Sequence, residues 1–295
     1  MSSNTPDWLK KKVNLNNFKI KQVKNLLIDL HLNTVCQSAA CPNIFECFGE
    51  KIATFMLMGD ICTRNCGFCG IRSGKPQTLD EDEPSRIAYA VKKMRLKYTV
   101  ITSVTRDDLA DGGSSHFAKT ISEIKKLSPF SKIECLIPDF KGDTGNLKIV
   151  LAREPDVLGH NIETIKRNFP AVRKYSDYET SLAILRLSKL DKPDIYTKSG
   201  FMLGLGENME EVEELLADLK RVSCDIVTIG QYLRPSQSNI PVKKYYKPEE
   251  FERIRELAMS FGFKAVESGI FTRSSYGAGA LLDKILKEKI ESVIS

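Results

Sequence analysis

The chain has 295 residues, 42% of them hydrophobic and 28% charged, which excludes wholesale disorder and suits one large α/β domain with extensions or two small domains. The formal net charge is +6, but Lys10, Lys11, Lys12, Lys19, Lys21 and Lys24 face Asp7 alone in residues 1–24, so +5 sits on this arm and the other 271 residues carry +1. Such an arm is a solvated basic face or a docking surface for an acidic partner, not a nucleic-acid patch.

No run of about 18 apolar residues offers a membrane span. Residues 1–7 lack both an apolar signal core and the Arg-rich pattern of a transit peptide, which points to the cytoplasm. After the cysteine-rich start, strand and helix patterns alternate. Ala53–Met58 reads as a strand and Pro84–Lys97 as a helix opened by its proline. Tyr98–Thr102 (strand), Ser115–Leu127 (helix), Lys132–Ile137 and Val157–Leu158 (strands) follow. Helices are expected near Ile162–Asn168 and at Ser176–Leu190, then a strand at Tyr196–Leu203, a helix at Met209–Arg221, a strand at Ile226–Tyr232 and a helix at Pro248–Phe261. About six βα units with short connections predict a parallel sheet with helices outside, a partial (βα)6 TIM-type barrel; an open doubly wound sheet is the alternative. The acidic run Asp80–Glu83 reads as a solvated loop.

Six of the eight cysteines form two triplets, Cys36-x4-Cys41-x5-Cys47 and Cys62-x3-Cys66-x2-Cys69. Cys135 and Cys224 stand alone in apolar stretches and read as buried strand residues. Disulfides suit neither the size of the chain nor a reducing compartment. A closed zinc site wants four ligands, whereas each triplet offers three and no histidine lies between Cys36 and Cys69. Iron–sulfur clusters fit better, with one iron of each cluster left for another ligand.

Working residues of a parallel barrel sit at the C-terminal ends of its strands. Those ends carry the Cys62 triplet, Thr102–Asp108, His160–Thr164, Gly200–Glu207 and Gln231–Pro235. Gly200, Gly204 and Gly206 could let backbone approach a ligand, or serve an ordinary strand–turn–helix junction. Asn161 and Glu163 could hold a ribose, or cap a helix. His160 reads as a satisfied structural histidine, and His31 and His116 as solvated or capping.

The run Cys62-Thr63-Arg64-Asn65-Cys66-Gly67-Phe68-Cys69 resembles the cluster motif of the radical S-adenosylmethionine (SAM) family. The resemblance implies a [4Fe-4S] cluster on Cys62, Cys66 and Cys69 whose open iron is chelated by SAM. One electron then cleaves SAM to a 5′-deoxyadenosyl radical. It further implies SAM contacts from Phe68, Ser103, Asp107, Asn161, Glu163, Met202, Gly204, Glu207 and Leu233.

The first triplet, with Pro42-Asn43 and Glu46 inside it, is similar to that of the lipoyl synthases. The likeness runs from Pro6-Asp7-Trp8-Leu9 through Ala53–Met56, Ile137–Phe140 and Gln231–Leu233 to Arg273-Ser274-Ser275-Tyr276. Phe48, Gly67, Gly70 and Asn239 depart from the family's usual residues, and none is a metal ligand. The family likeness implies insertion of two sulfur atoms into a protein-bound octanoyl chain, with a second [4Fe-4S] cluster on Cys36, Cys41 and Cys47 as the sulfur source. Ser275, with Ser274 as the fallback, is its implied fourth ligand. The implied partners are an octanoylated carrier (a glycine-cleavage H protein or an E2 lipoyl domain), a ferredoxin or flavodoxin, and an iron–sulfur assembly protein. The implied state is a monomer. Residues 1–50 and 263–295 are then extensions closing over the mouth of a barrel at 51–262, so the first triplet and the terminal serines must meet in space.

Overall fold

The computed structural model describes residues 6–11, 18–50 and 52–294 of the chain. In chain order the strands are β1 (Asn33–Thr34), β2 (Thr54–Leu57), β3 (Ile61–Cys62), β4 (Arg72–Ser73), β5 (Tyr98–Ser103), β6 (Lys132–Leu136), β7 (Val157–Gly159), β8 (Tyr196–Leu203), β9 (Ile226–Gln231) and β10 (Ala265–Gly269). The helices are α1 (Phe18–Asp29), α2 (Val35–Ser38), α3 (Ile44–Gly49), α4 (Glu83–Met94), α5 (Ser114–Leu127) and α6 (Thr144–Leu151), followed by α7 (Phe169–Val172), α8 (Tyr178–Asp191), α9 (Met209–Arg221), α10 (Pro248–Ser260) and α11 (Ala278–Ile294).

Eight strands form one sheet in the order β1-β2-β5-β6-β7-β8-β9-β10, and β3 with β4 forms a separate two-stranded ribbon. Only β1 runs antiparallel, against β2. The sheet is therefore the expected parallel α/β barrel wall, left open between β10 and β1 among the described residues. No helix of the described residues is long and apolar enough to cross a membrane.

Alternation along each strand sorts side chains into an outer and an inner set. Ile101, Ile133, Cys135 and Leu158 join α4, α5 and α6 in one helix-facing core. Phe201, Leu203, Val227 and Ile229 join α8, α9 and α10 in another. Helix α9 shows the division of labour. Leu215, Leu216 and Leu219 are buried, each contributing about 2 kcal/mol. The Asn208–Glu211 capping box at its start adds about 1 kcal/mol. Packing holds this helix, and the cap sets where it begins.

The strand-start end of the barrel is shut. Buried Lys198 donates to both oxygens of Glu134 at 2.9 Å, and Tyr98 donates to the same carboxylate at 2.6 Å. Leu281 and Ile285 of α11 pack there on Ile226 and Ala265. Chemistry must use the opposite end.

Helices α6 and α11 and strand β10 lie outside the elements read from the sequence, and β10 joins the sheet beyond residue 262. No helix forms over 162–165. Glu163 there takes a left-handed backbone with φ 69°, its N–H donates to Gly200, and its carbonyl accepts from Met202 N. The acidic run is not wholly solvated either. Glu83 is buried, accepting from Met58 N and pairing with His116 Nε2, both at 2.7 Å. His116 is accordingly a buried residue, not a solvated or capping one. Cys135 and Cys224 are fully buried, as read.

Candidate active site

The second cysteine triplet lies on the loop after β2, at the open end of the barrel. Backbone N–H groups point at its sulfurs. Arg64 N lies 3.4 Å and Thr105 N 3.3 Å from Cys62 Sγ, and Ile71 N lies 3.5 Å from Cys69 Sγ. Such donors stabilise thiolate ligands and tune a bound cluster. Burial, with the neighbouring thiols adding, pushes the Cys69 thiol up to about 12, so metal binding there must displace a proton. Among the described residues no three His, Cys, Asp or Glu side chains gather closely enough for a single ion.

Arg64 fastens this loop to the barrel. Its guanidinium makes paired hydrogen bonds to Asp107 at 2.7 and 2.9 Å and to Asp139 at 2.7 and 2.7 Å. Asp139, after β6, also accepts from Ser176. Burial alone would raise the Asp139 carboxyl, but Arg64, with His160 and Ser176 adding, holds it well below the usual carboxylate range. His160 donates from Nδ1 to the Ile137 carbonyl at 2.9 Å, and Arg173 lies 3.4 Å from Nε2. A carbonyl can only accept, so the ring is the Nδ1–H tautomer. Burial, with the Arg173 charge adding, brings its pKa down to about 4.

The candidate SAM contacts divide into two groups. Phe68 and Met202 pack together with Val172, Leu205 and Tyr232, forming an apolar wall beside the cysteine loop that suits an adenine. Glu163 lies within electrostatic reach of Cys66 and Cys69, its carboxyl raised by burial. Of the other residues, Asp107, Gly204, Glu207 and Asn161 are engaged elsewhere. Asp107 spends both oxygens on Arg64. Glu207 accepts from Gly204 N and Leu205 N at 2.6 and 2.9 Å, closing its own turn. A Cβ on Gly204 would run into Gln231 and, at 2.6 Å, the Lys244 carbonyl, so this glycine serves packing. Ser103 Oγ is buried without a partner, on the strand face that Ile101 turns to the helices. Leu233 is half-buried beyond β9. Asn161 donates to Ser274 Oγ at 2.6 Å.

That last contact belongs to a second centre. Cys36 lies on α2, Cys47 on α3 and Cys41 between them. The thiols sense one another electrostatically, and Cys41 also senses Arg273. Burial, with the two sister thiols adding, pushes Cys47 up to about 12. The C-terminal segment enters the barrel because its inner wall is glycine. A Cβ on Gly230 would strike the Thr272 carbonyl, and one on Gly200 would lie 3.1 Å from Ser274 Oγ. Ser274 is thus tied to the barrel. Tyr276 donates to Glu46 on α3 at 2.6 Å, and Asn43 donates to the Phe271 carbonyl at 2.6 Å. Lys11 completes this latch. It pairs with Glu46, donates to Asn43 Oδ1 at 2.7 Å and lies over the Phe271 and Tyr276 rings.

Lys11 therefore faces inward rather than lining a docking arm, because two acceptors and two aromatic faces converge on it. Lys10 pairs with Asp7, Lys24 covers Phe45, and Lys12 lies outside the described residues. Sequence reasoning missed the Arg64 clamp and the latch. Their signals were single residues inside the motifs, Arg64, Asp107 and Asp139 for the clamp and Asn43, Glu46 and Tyr276 for the latch, with nothing in the sequence to pair them.

Comparison with known proteins follows the same lines. Residues 56–219 match the family model described as the radical SAM superfamily. The chain is 54% identical over 276 residues to a lipoyl synthase of Caldicellulosiruptor saccharolyticus, covering 94% of this chain and 96% of that one. It is 53% identical to a lipoyl synthase of Caldicellulosiruptor bescii, covering 92% and 94%. Among solved structures, SuiB of Streptococcus suis bound to S-adenosylmethionine aligns with a TM-score of 0.54 at 14% identity. That alignment covers 83% of this chain and 58% of SuiB, and shares the fold.

Proposed function

Because the chain belongs to the lipoyl synthase family of the radical SAM superfamily, we propose that it inserts two sulfur atoms, at C6 and C8, into an octanoyl chain held on a lysine of a lipoyl carrier domain. The observation that carries this reading is the latch. It brings the Cys36/Cys41/Cys47 segment and the Ser274-Ser275 segment, from opposite ends of the chain, to one barrel mouth beside the Cys62/Cys66/Cys69 loop.

Cys62, Cys66 and Cys69 would hold the [4Fe-4S] cluster that, with SAM, supplies a primary alkyl radical able to take hydrogen from an unactivated C–H bond. The protein's own residues bind and orient. Phe68 and Met202 offer the adenine an apolar wall. Glu163, fixed by its left-handed backbone and its bonds to β8, is poised for the ribose. Arg64 holds the cysteine loop in register with β5 and β6 through Asp107 and Asp139. The segments 35–50 and 271–276, joined at the open end, would exclude water from the reacting carbon.

The auxiliary cluster is a sulfur substrate rather than a resident group. Cys36, Cys41 and Cys47 hold it, with Ser275 as fourth ligand. Ser274 Oγ is taken by Asn161 and the Tyr276 hydroxyl by Glu46, while Ser275 Oγ has no hydrogen bond among the described residues. An alkoxide is a harder ligand than a thiolate, so this corner opens first when sulfur is withdrawn. The reading requires an octanoylated H protein or E2 lipoyl domain, a low-potential one-electron donor and an iron–sulfur assembly partner. It assigns the work to a monomer in the cytosol, where thiols stay reduced. Anaerobic reconstitution tests it. Two cubane clusters per chain, one of which changes its spectrum on adding SAM, support the reading, and a single cluster contradicts it.

A further inference from the structure

The radical chemistry proposed above needs one electron from outside for each SAM cleaved. Two segments that flank the outer side of the cysteine loop carry positive charge, most of it without a carboxylate partner among the described residues. The connection from β9 to α10, residues 232–247, holds Arg234, Lys243, Lys244 and Lys247 and no carboxylate. It lies directly on the cysteine loop. Asn239 donates to the Gly67 and Cys69 carbonyls at 3.2 and 2.9 Å, and Ile240 N donates to the Gly67 carbonyl at 3.0 Å. It is also held in place, since Gln231 donates to the Lys244 carbonyl and accepts from Tyr246 N. On the other flank Gly67 N donates to the Val172 carbonyl at 2.9 Å, and two residues on come Lys174 and Tyr175, both exposed.

The nearby carboxylates do not cancel these cations. Glu250 pairs with Lys244 alone, Glu207 binds backbone N–H groups, Asp177 caps α8, and Asp139 is buried with Arg64. Arg234 bonds only carbonyls of its own loop, and Lys174 and Lys243 have no carboxylate partner among the described residues.

We propose that this face, framed by Lys174, Arg234 and Lys243 around the exposed side of loop 62–70, is the docking surface for an acidic one-electron carrier protein of the ferredoxin class. The inference rests on the radical SAM reading. The carrier gives up one electron and the cluster takes it, with no proton or atom exchanged. Geometry selects this occupant over the equally acidic lipoyl carrier. This face is bonded directly to the backbone of the cysteine loop through Asn239 and Ile240, so a carrier docked here sits against the cluster ligands, where an electron need travel only a short way. Charge complementarity of this kind raises the encounter rate and is screened by salt.

The test compares wild type with the double variant Lys174→Glu, Lys243→Glu, following 5′-deoxyadenosine formation driven either by limiting reduced ferredoxin or by dithionite. The variant should be slower by about tenfold with ferredoxin at low salt, the difference shrinking as salt is added, with an unchanged dithionite rate and an unchanged KM for the octanoylated carrier. Equal loss with dithionite, no loss with ferredoxin, or a raised carrier KM overturns the docking assignment. Failure of wild type to form 5′-deoxyadenosine with dithionite overturns the radical SAM reading itself.

Discussion

Tyr276 donates its hydroxyl to Glu46 at 2.6 Å, joining residues 230 positions apart across the auxiliary cysteine site. Glu46 is held below its usual range by Lys11 and by Tyr276, and the Tyr276 hydroxyl rises to about 12 because of Glu46. The pair therefore stays a neutral donor on a carboxylate at working pH. It ties the C-terminal segment to α3 beside Cys47.

Tyr276→Phe should loosen the auxiliary site and spare the SAM site. The bond is partly solvated, so its loss costs about 1 kcal/mol. Iron per chain after reconstitution should fall from about eight toward about four, the content of two and of one cubane cluster. The SAM-induced spectral change should persist. Full iron content in this variant would deny the latch its role.

Asp139→Asn should destabilise more than Asp107→Asn. Asp139 is 2% exposed at the side chain and Asp107 23%, although both pair with Arg64. Removing the buried partner costs about 3 kcal/mol, and removing the more exposed one about 1. Urea midpoints measured at one pH rank the two, and equal losses would mean that Arg64 does not depend on burial of its partner.

His160 should make stability fall on mild acidification. Its folded pKa of about 4 lies below the ordinary 6.5, so between those values the unfolded chain binds the extra proton. Stability is fully present above about pH 6.5 and is lost progressively down to about pH 4, by about 3 kcal/mol from this residue. Buried Glu163, whose carboxyl is raised, acts in the opposite sense. The clean readout is therefore wild type minus His160→Gln in urea at pH 7 and pH 5. The difference should shrink at pH 5, and a constant difference would contradict a neutral buried ring.

Ser275→Cys should assemble both clusters and form 5′-deoxyadenosine, yet release little sulfur, because a thiolate corner resists loss. Ser274→Ala should keep its clusters and lose only the contact with Asn161. Normal lipoyl product from Ser275→Cys would remove the labile-corner explanation.

Much of this was legible in the sequence because it is local. The cysteine spacings announce their own chemistry, and Tyr196–Leu203 and Met209–Arg221 appear in the structure as read. What escaped depends on partners far away in the chain. Glu83 looked like part of a solvated acidic run until His116 and the Met58 N–H met it. Lys11 looked like an exposed cation until Glu46, Asn43 and two rings enclosed it. Gly204 and Glu207 read as ligand-facing, but they solve a packing and a turn problem within their own connection. Helix α11 opens without a proline or an acidic first turn, and its place is set by the barrel floor beneath Leu281 and Ile285.

The most direct test combines the reconstituted protein, SAM, a reductant and an octanoylated lipoyl domain under anaerobic conditions, with the domain analysed by mass spectrometry. The account predicts 5′-deoxyadenosine together with a carrier that has gained two sulfur atoms, drawn from the Cys36/Cys41/Cys47 cluster. Formation of 5′-deoxyadenosine with no sulfur on the carrier would contradict it.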